Sequence, residues 1–76
     1  MDVSIERDTL KELITFKLQH THDLIRSILD KWGEGNSDDF ISKAKSGALE
    51  NAEMDGIIMR QLIADYNKLR ELLDSI

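Results

Sequence analysis

The sequence predicts an all-α fold: a helical hairpin of two long helices joined through a short helix, packing as a homodimeric four-helix-type bundle. Two long stretches carry apolar residues at spacings of three and four, which is the period of a helix buried along one face. The chain has no Pro, and its 41% hydrophobic and 33% charged residues are typical of helical assemblies. We expect a single helical domain over residues 1–76.

The first long helix is predicted from about residue 5 to residue 32. Its apolar face is formed by residues three and four positions apart, namely Leu10, Ile14, Leu18, Thr21, Ile25, Ile28 and Trp32, and is widened by Leu13, Leu24 and Leu29. Gly33 can adopt the left-handed conformation that closes a helix, and a second Gly follows at position 35. The sequence therefore predicts a turn over residues 33–36.

A short helix is predicted over residues 37–46. Ser37 is the expected N-cap, because its hydroxyl oxygen can accept from the first free N–H groups, and two Asp residues follow it in the first turn. Trp32 and Phe40 flank the preceding turn, and we expect them to plug the end of the bundle.

The second long helix is predicted over residues 48–75. Gly47 can close the short helix, although one continuous helix would also explain the unbroken apolar phase across residues 41–52; we favour a break or a sharp kink at residues 46–47. The apolar seam has the 3.5-residue period of a coiled coil and consists of Ala48, Ala52, Asp55, Met59, Leu62, Tyr66, Leu69, Leu73 and Ile76.

Asp55 interrupts this seam and is followed by Gly56. A carboxylate at a packing position costs free energy unless it is paired, so we expect it to be solvated or to meet Lys17, Arg60 or a threonine; the alternative is a functional acid. We expect the substitution Asp55→Leu to change the assembly state of the protein or to raise its stability. Gly56 would allow another backbone to approach closely, or the helix to bend.

The apolar arc of the second long helix is roughly 200° wide, and one partner helix covers about half of it. A second copy of the chain would cover the rest, which predicts a homodimer; a different helical protein is the alternative partner. The predicted interface consists of Leu18, Ile25, Ile28, Trp32, Met59, Leu62, Tyr66, Leu69 and Leu73.

Composition excludes several classes of function. Without Cys, the chain has no disulfide, no thiolate metal site and no thiol nucleophile, and it fits a reducing, cytoplasmic compartment. Its net charge of −5 disfavours nucleic acid as a partner. No apolar run is long enough to span a membrane, and no cofactor motif is present.

His20, His22 and Asp23 are the residues nearest to a histidine-based metal site. Residues two apart on a helix point about 200° apart, so the two histidines cannot bind one ion together. His20 and Asp23 share a face and could form half of a site. We expect solvated or interface histidines.

Two acidic pairs, in Glu50-Asn51-Ala52-Glu53 and Glu71-Leu72-Leu73-Asp74, suggest a second class of function. In outline they resemble the paired motifs of the all-alpha nucleotide pyrophosphohydrolases of the MazG type. The resemblance covers four acidic positions and implies Mg²⁺ held against nucleotide phosphates. Both pairs fall on one predicted helix, with Glu53 and Glu71 about 27 Å apart, whereas that family carries its motifs on two helices that meet.

The sequence therefore favours a small protein–protein interaction, regulatory or assembly module that acts through self-association and a helical surface, with no catalysis of its own. The alternative is a Mg²⁺-dependent pyrophosphohydrolase-like or metal-binding helical bundle. Its metal ligands would be Glu50, Glu53 and Asp55.

Overall fold

The structure, a computed structural model, describes the backbone of residues 3–76 and the side chains from Glu6 onward. It contains α1 (Val3–Trp32), α2 (Ser37–Ser46) and α3 (Glu53–Ser75), and no strand occurs in this range. The predicted all-α class is therefore confirmed. The molecule measures 54 × 18 × 17 Å, and none of the described helices combines the length and apolar character needed to cross a membrane.

α1 ends at a glycine in the left-handed conformation, Gly33, with φ of 66°. The N–H of Glu34 donates to the carbonyl of Leu29 at 2.9 Å, and the N–H of Gly33 donates to the carbonyl of Asp30 at 3.3 Å. These two bonds form a Schellman motif, which satisfies carbonyls that the end of the helix would otherwise leave unpaired. The chain reverses at this point and leads into α2.

α2 is capped by Asn36, one residue earlier than the predicted Ser37. The backbone of Asn36 is extended, and its side-chain oxygen accepts from the N–H groups of Asp38 at 2.8 Å and Asp39 at 3.2 Å. Ser37 is already helical, so its hydroxyl cannot serve the first turn in the same way. Two lysines, at positions 43 and 45, lie in the last turn, where positive charge is favourable.

A loop over residues 47–52 separates α2 from α3, so the helix breaks at Gly47 rather than running on. Gly47 has φ of 81°, and Asn51 has φ of 64°. Asn tolerates the left-handed region better than most residues. α3 consequently begins at Glu53, five residues later than the predicted start at residue 48, and Ala48 is not part of it.

The buried core lies where all three helices meet. It consists of Leu29 of α1, Phe40 and Ala44 of α2, Met59 of α3, and Ala52 of the loop. Partly buried apolar residues pack around these five, namely Ile25, Ile28, Trp32, Ile41, Leu49 and Ile63. Burial of apolar surface in this cluster is the main force that holds the three helices together.

α2 approaches α3 closely because one contact uses two small residues. Gly56 of α3 is buried, and a Cβ placed on it would lie 2.9 Å from the Cβ of Ala44. Real Cβ atoms do not come this close, so any larger residue at position 56 would push the two helices apart. Gly56 therefore allows the close helix packing that the sequence pattern suggested for it.

Beyond α2 the molecule is a hairpin of α1 and α3 alone. The two helices are antiparallel, because the end of α1 contacts the start of α3 while Leu18 lies beside Tyr66. Two residues of this part of α1 are buried, Ile14 and Thr21. The Thr21 hydroxyl donates to the carbonyl of Lys17 at 2.8 Å, so it is satisfied within its own helix.

Candidate interaction surface

Asp55 joins the start of α3 to the end of α1. Its Oδ2 accepts a hydrogen bond from Trp32 Nε1 at 2.8 Å and a second from Lys31 Nζ at 2.9 Å. The partners are therefore Lys31 and Trp32, rather than the Lys17, Arg60 or threonine expected from the sequence. These two hydrogen bonds, that of Lys31 first, lower the pKa of Asp55, and partial burial opposes them.

Trp32 and Phe40 pack together at this end of the molecule. Their ring centroids are 6.2 Å apart and the rings are tilted by 37°. Phe40 is fully buried and belongs to the core. Trp32 is half-buried, and Lys31 Nζ lies 5.4 Å from the centroid of its ring. Both aromatics are thus committed to closing the three-helix end, and the indole N–H is used by Asp55.

One side of the α1/α3 hairpin exposes several large apolar side chains. The Lys31–Asp55 ion pair marks this side, because both residues must lie there to touch. On α1, Leu24 lies seven residues before Lys31, and on α3, Ile58 lies three residues after Asp55, so both project to the same side. We call this surface the hairpin face; its exposed apolar members are Leu10, Leu13, Leu24, Ile58 and Leu72.

The predicted interface residues are buried or half-buried within the chain, and Ile25, Ile28 and Trp32 pack against its core. Met59 is fully buried and belongs to the core. The other eight are half-buried, namely Leu18, Ile25, Ile28, Trp32, Leu62, Tyr66, Leu69 and Leu73. That they contact a second copy stays a prediction.

The most exposed part of the hairpin face was missing from the predicted interface. The prediction followed the central seam of each helix, which the structure uses largely to pack α1 on α3. Leu13 and Leu24 lie on the flank of that seam on α1, and Ile58 and Leu72 lie on the flank on α3. The feature of the sequence that could have indicated these residues is the width of the apolar arc. Residues at the edge of the arc remain uncovered after α1 packs on α3.

The acidic residues of the metal alternative are not brought together. Glu50 lies in the loop before α3, Glu53 is exposed at the first position of α3, and Asp55 is bonded to Lys31 and Trp32. Within the described side chains, no group of three His, Asp or Glu residues is placed to hold a metal ion. Glu71 lies near the far end of the same helix.

The two histidines are exposed on α1. His22 Nδ1 lies 3.8 Å from Asp23, and the other contact of that carboxylate is a 3.0 Å hydrogen bond from Gln19. His20 lies on the same stripe of α1 as Leu13 and Leu24 and therefore borders the hairpin face. Among the described side chains, neither histidine has the neighbours that a metal site needs.

Comparison with protein-family models, with curated proteins and with solved structures finds no match for this chain.

Proposed function

We propose that the protein is a small helical interaction or assembly module that works as a homodimer, with no catalysis of its own. Two copies pack hairpin face against hairpin face about a two-fold axis, which gives a four-helix-type bundle with α2 on the outside. We place this activity in the cytoplasm, in keeping with a chain that has no Cys. The observation that carries the proposal is the row of exposed apolar residues on one side of the hairpin.

The size of the hairpin face supports a second copy as its occupant. The molecule is 54 Å long and 18 Å wide, so a surface that runs along both long helices can pair with a second copy along its length. A narrower face would suit only a short peptide. Because exposed apolar residues lie on both helices, the same surface of another copy matches it in length and chemistry.

The small core gives an energetic reason for dimerisation. Six apolar residues are buried among the described side chains, and they include two alanines. A chain of about this size is marginally stable alone, and oligomerisation is a common supplement where disulfides and metals are missing. Burying Leu13, Leu24 and Ile58 in a dimer would remove large apolar side chains from water.

Sedimentation equilibrium across a concentration series tests the proposal. We expect a mass of twice 8.7 kDa at micromolar concentration for the unchanged chain. Ile58→Lys should weaken the dimer by roughly 100-fold or more, because the two-fold axis places the new charge in the apolar interface twice. Circular dichroism should show that the variant is still helical.

Ile57→Lys is the matched control. Ile57 precedes Ile58 on α3 and is more exposed, at 65% against 42%, but the step of one residue turns its side chain about 100° round the helix from Ile58. This variant should remain dimeric. A monomeric unchanged chain, or equal loss of mass in both variants, would show that the hairpin face does not hold a second copy.

A further inference from the structure

A second surface lies on the other side of α3, between α3 and α2. It is a cleft of about 280 Å³. Ala44 and Gly56 form its floor, where the two helices are closest, and Ile41 and Ile57 stand at its sides. Since the cleft lies on the side of α3 that faces α2, the proposed dimer, with α2 on the outside, leaves it open to solvent.

The cleft is apolar at the centre and carries two basic groups. Lys45 of α2 and Arg60 of α3 line it, together with one acidic residue, Glu53. Neither Lys45 nor Arg60 is within ion-pair distance of a carboxylate in the part of the chain described, whereas Lys31 and Lys43 both are. In a protein with a net charge of −5, two unpaired cations beside one apolar cleft form a local site for negative charge.

Ile57, which is 65% exposed, extends the cleft along α3. Past Ile57 a neighbouring depression reaches Leu49 and is lined by two carboxylates, those of Glu50 and Glu53. An open cleft of this kind between two helices suits a few side chains from one face of a helix.

We propose that this cleft, which we call the α2/α3 cleft, binds an acidic amphipathic helix of another protein. A Leu-like side chain of the partner packs on Ala44 and Gly56, between Ile41 and Ile57. Carboxylates that flank that side chain accept hydrogen bonds from Arg60 and Lys45. The protein then uses one surface to pair with itself and another to hold its partner.

Amide chemical shifts of the ¹⁵N-labelled full chain test the proposal. The probe is a blocked peptide of about four helical turns, with Leu along one face and Glu beside it, and its matched peptide carries Lys in place of each Glu. We expect the acidic peptide to shift the amides of Ala44, Gly56, Ile57 and Arg60. The Lys peptide should bind at least roughly tenfold more weakly.

Reversing the charges of Arg60 and Lys45 tests their role more directly than the comparison of the two peptides. Arg60→Glu should reduce affinity for the acidic peptide by roughly tenfold or more, and the double variant with Lys45→Glu should prefer the Lys peptide. Both residues are exposed, so the fold should be retained. Equal binding of the two peptides, or no change on charge reversal, would contradict the assigned role of the cations.

The neighbouring isoleucines separate this proposal from dimerisation. Ile57→Lys should abolish peptide binding and leave the mass unchanged, while Ile58→Lys should lower the mass and leave peptide binding intact. If neither peptide shifts any amide up to about 1 mM, the proposal fails whatever the sedimentation result. It also fails if the shifts fall on Leu13 and Leu24 of the hairpin face.

Discussion

Trp32 and Asp55, 23 residues apart in the sequence, are joined by a 2.8 Å hydrogen bond from the indole Nε1 to the carboxylate Oδ2. The same oxygen accepts from Lys31 Nζ at 2.9 Å. Because Lys31 and Trp32 lie in the last turn of α1 and Asp55 lies in the first turn of α3, these bonds fix one helix end against the other. The position that interrupts the apolar seam is thus a polar junction between helices.

Removing this junction should destabilise the protein, contrary to the gain expected from the sequence. We expect Asp55→Leu to lower the free energy of unfolding by about 1–3 kcal/mol, since it leaves Trp32 Nε1 partly buried without its acceptor. Asp55→Asn should cost less, about 1 kcal/mol, because the amide oxygen can still accept from the indole. Urea titrations followed by the fluorescence of Trp32, the single tryptophan, measure both changes.

Asp65→Asn is the matched control for these variants. Asp65 also accepts one hydrogen bond, 3.1 Å from Gln61, but its partner is on the same helix and exposed. Such a pair is worth a few tenths of a kcal/mol. If Asp55→Leu costs no more than Asp65→Asn, or raises stability, the junction contributes nothing.

The stability supplied by Asp55 should depend on pH in the acidic range. Its pKa in the folded chain is below the ordinary value of 3.8. At acidic pH the Asp55 carboxylate therefore binds fewer protons in the folded state than in the unfolded state. The contribution is complete above the ordinary pKa and declines as pH falls through the lowered folded pKa. The difference in urea midpoint between the unchanged chain and Asp55→Asn should be constant between about pH 5 and 7 and shrink below about pH 4.

Gly56→Ala should destabilise the protein although Ala is the better helix former. The intrinsic helix preference would add about 1 kcal/mol of stability, but the new Cβ would lie 2.9 Å from the Cβ of Ala44. Relieving that overlap moves α2 away from the core, and overpacking of this kind costs about 1–3 kcal/mol. We expect a lower urea midpoint for Gly56→Ala.

Adding Ala44→Gly to Gly56→Ala should recover stability. The second change removes the clashing methyl, so the double variant should be more stable than the sum of the two single effects by about 1 kcal/mol or more. Ala64→Gly, on an exposed part of α3, gives the cost of a helical glycine away from any contact. Strictly additive effects would show that Ala44 and Gly56 do not oppose each other.

Thr21→Val should leave stability unchanged or raise it by up to about 1 kcal/mol. Thr21 is 3% exposed, and its hydroxyl donates a hydrogen bond to the Lys17 carbonyl, which already belongs to the helical hydrogen-bond pattern. Val has nearly the same shape and leaves no partner side chain unpaired. A loss above about 1 kcal/mol in urea titrations would mean that the hydroxyl serves a contact across the hairpin.

The periodicity of the sequence was sufficient to predict the all-α class, but it did not give the exact residues at which α2 and α3 begin. Asn36 and Ser37 are both good cap residues, and only the backbone angles distinguish them. The apolar spacing runs through residues 41–52 as though one helix continued. The predicted break therefore fell at residues 46–47 and did not extend to Asn51. That residue, which tolerates a positive φ, marks a second left-handed point that keeps α3 from starting before Glu53.

The candidate surfaces needed the three-dimensional arrangement. The partner of Asp55 depends on the antiparallel register of α1 and α3, which no local pattern specifies. The α2/α3 cleft depends on where α2 packs, and its two cations come from different helices. The sequence could indicate that apolar surface would remain exposed, but not that Ile57 would line the cleft beside α2 while Ile58 would lie on the hairpin face.

The placement of the core at one end implies that the free energy of unfolding is unevenly distributed along the chain. Turns near Trp32 and Met59 open only when the three-helix end unfolds, whereas residues 6–13 of α1 and the last turns of α3 contain no buried side chain. Their amide hydrogens should exchange with solvent faster, in a gradient along the hairpin. Association through the hairpin face would slow exchange most at this end, so dimerisation would complete the folding of the far half of the molecule.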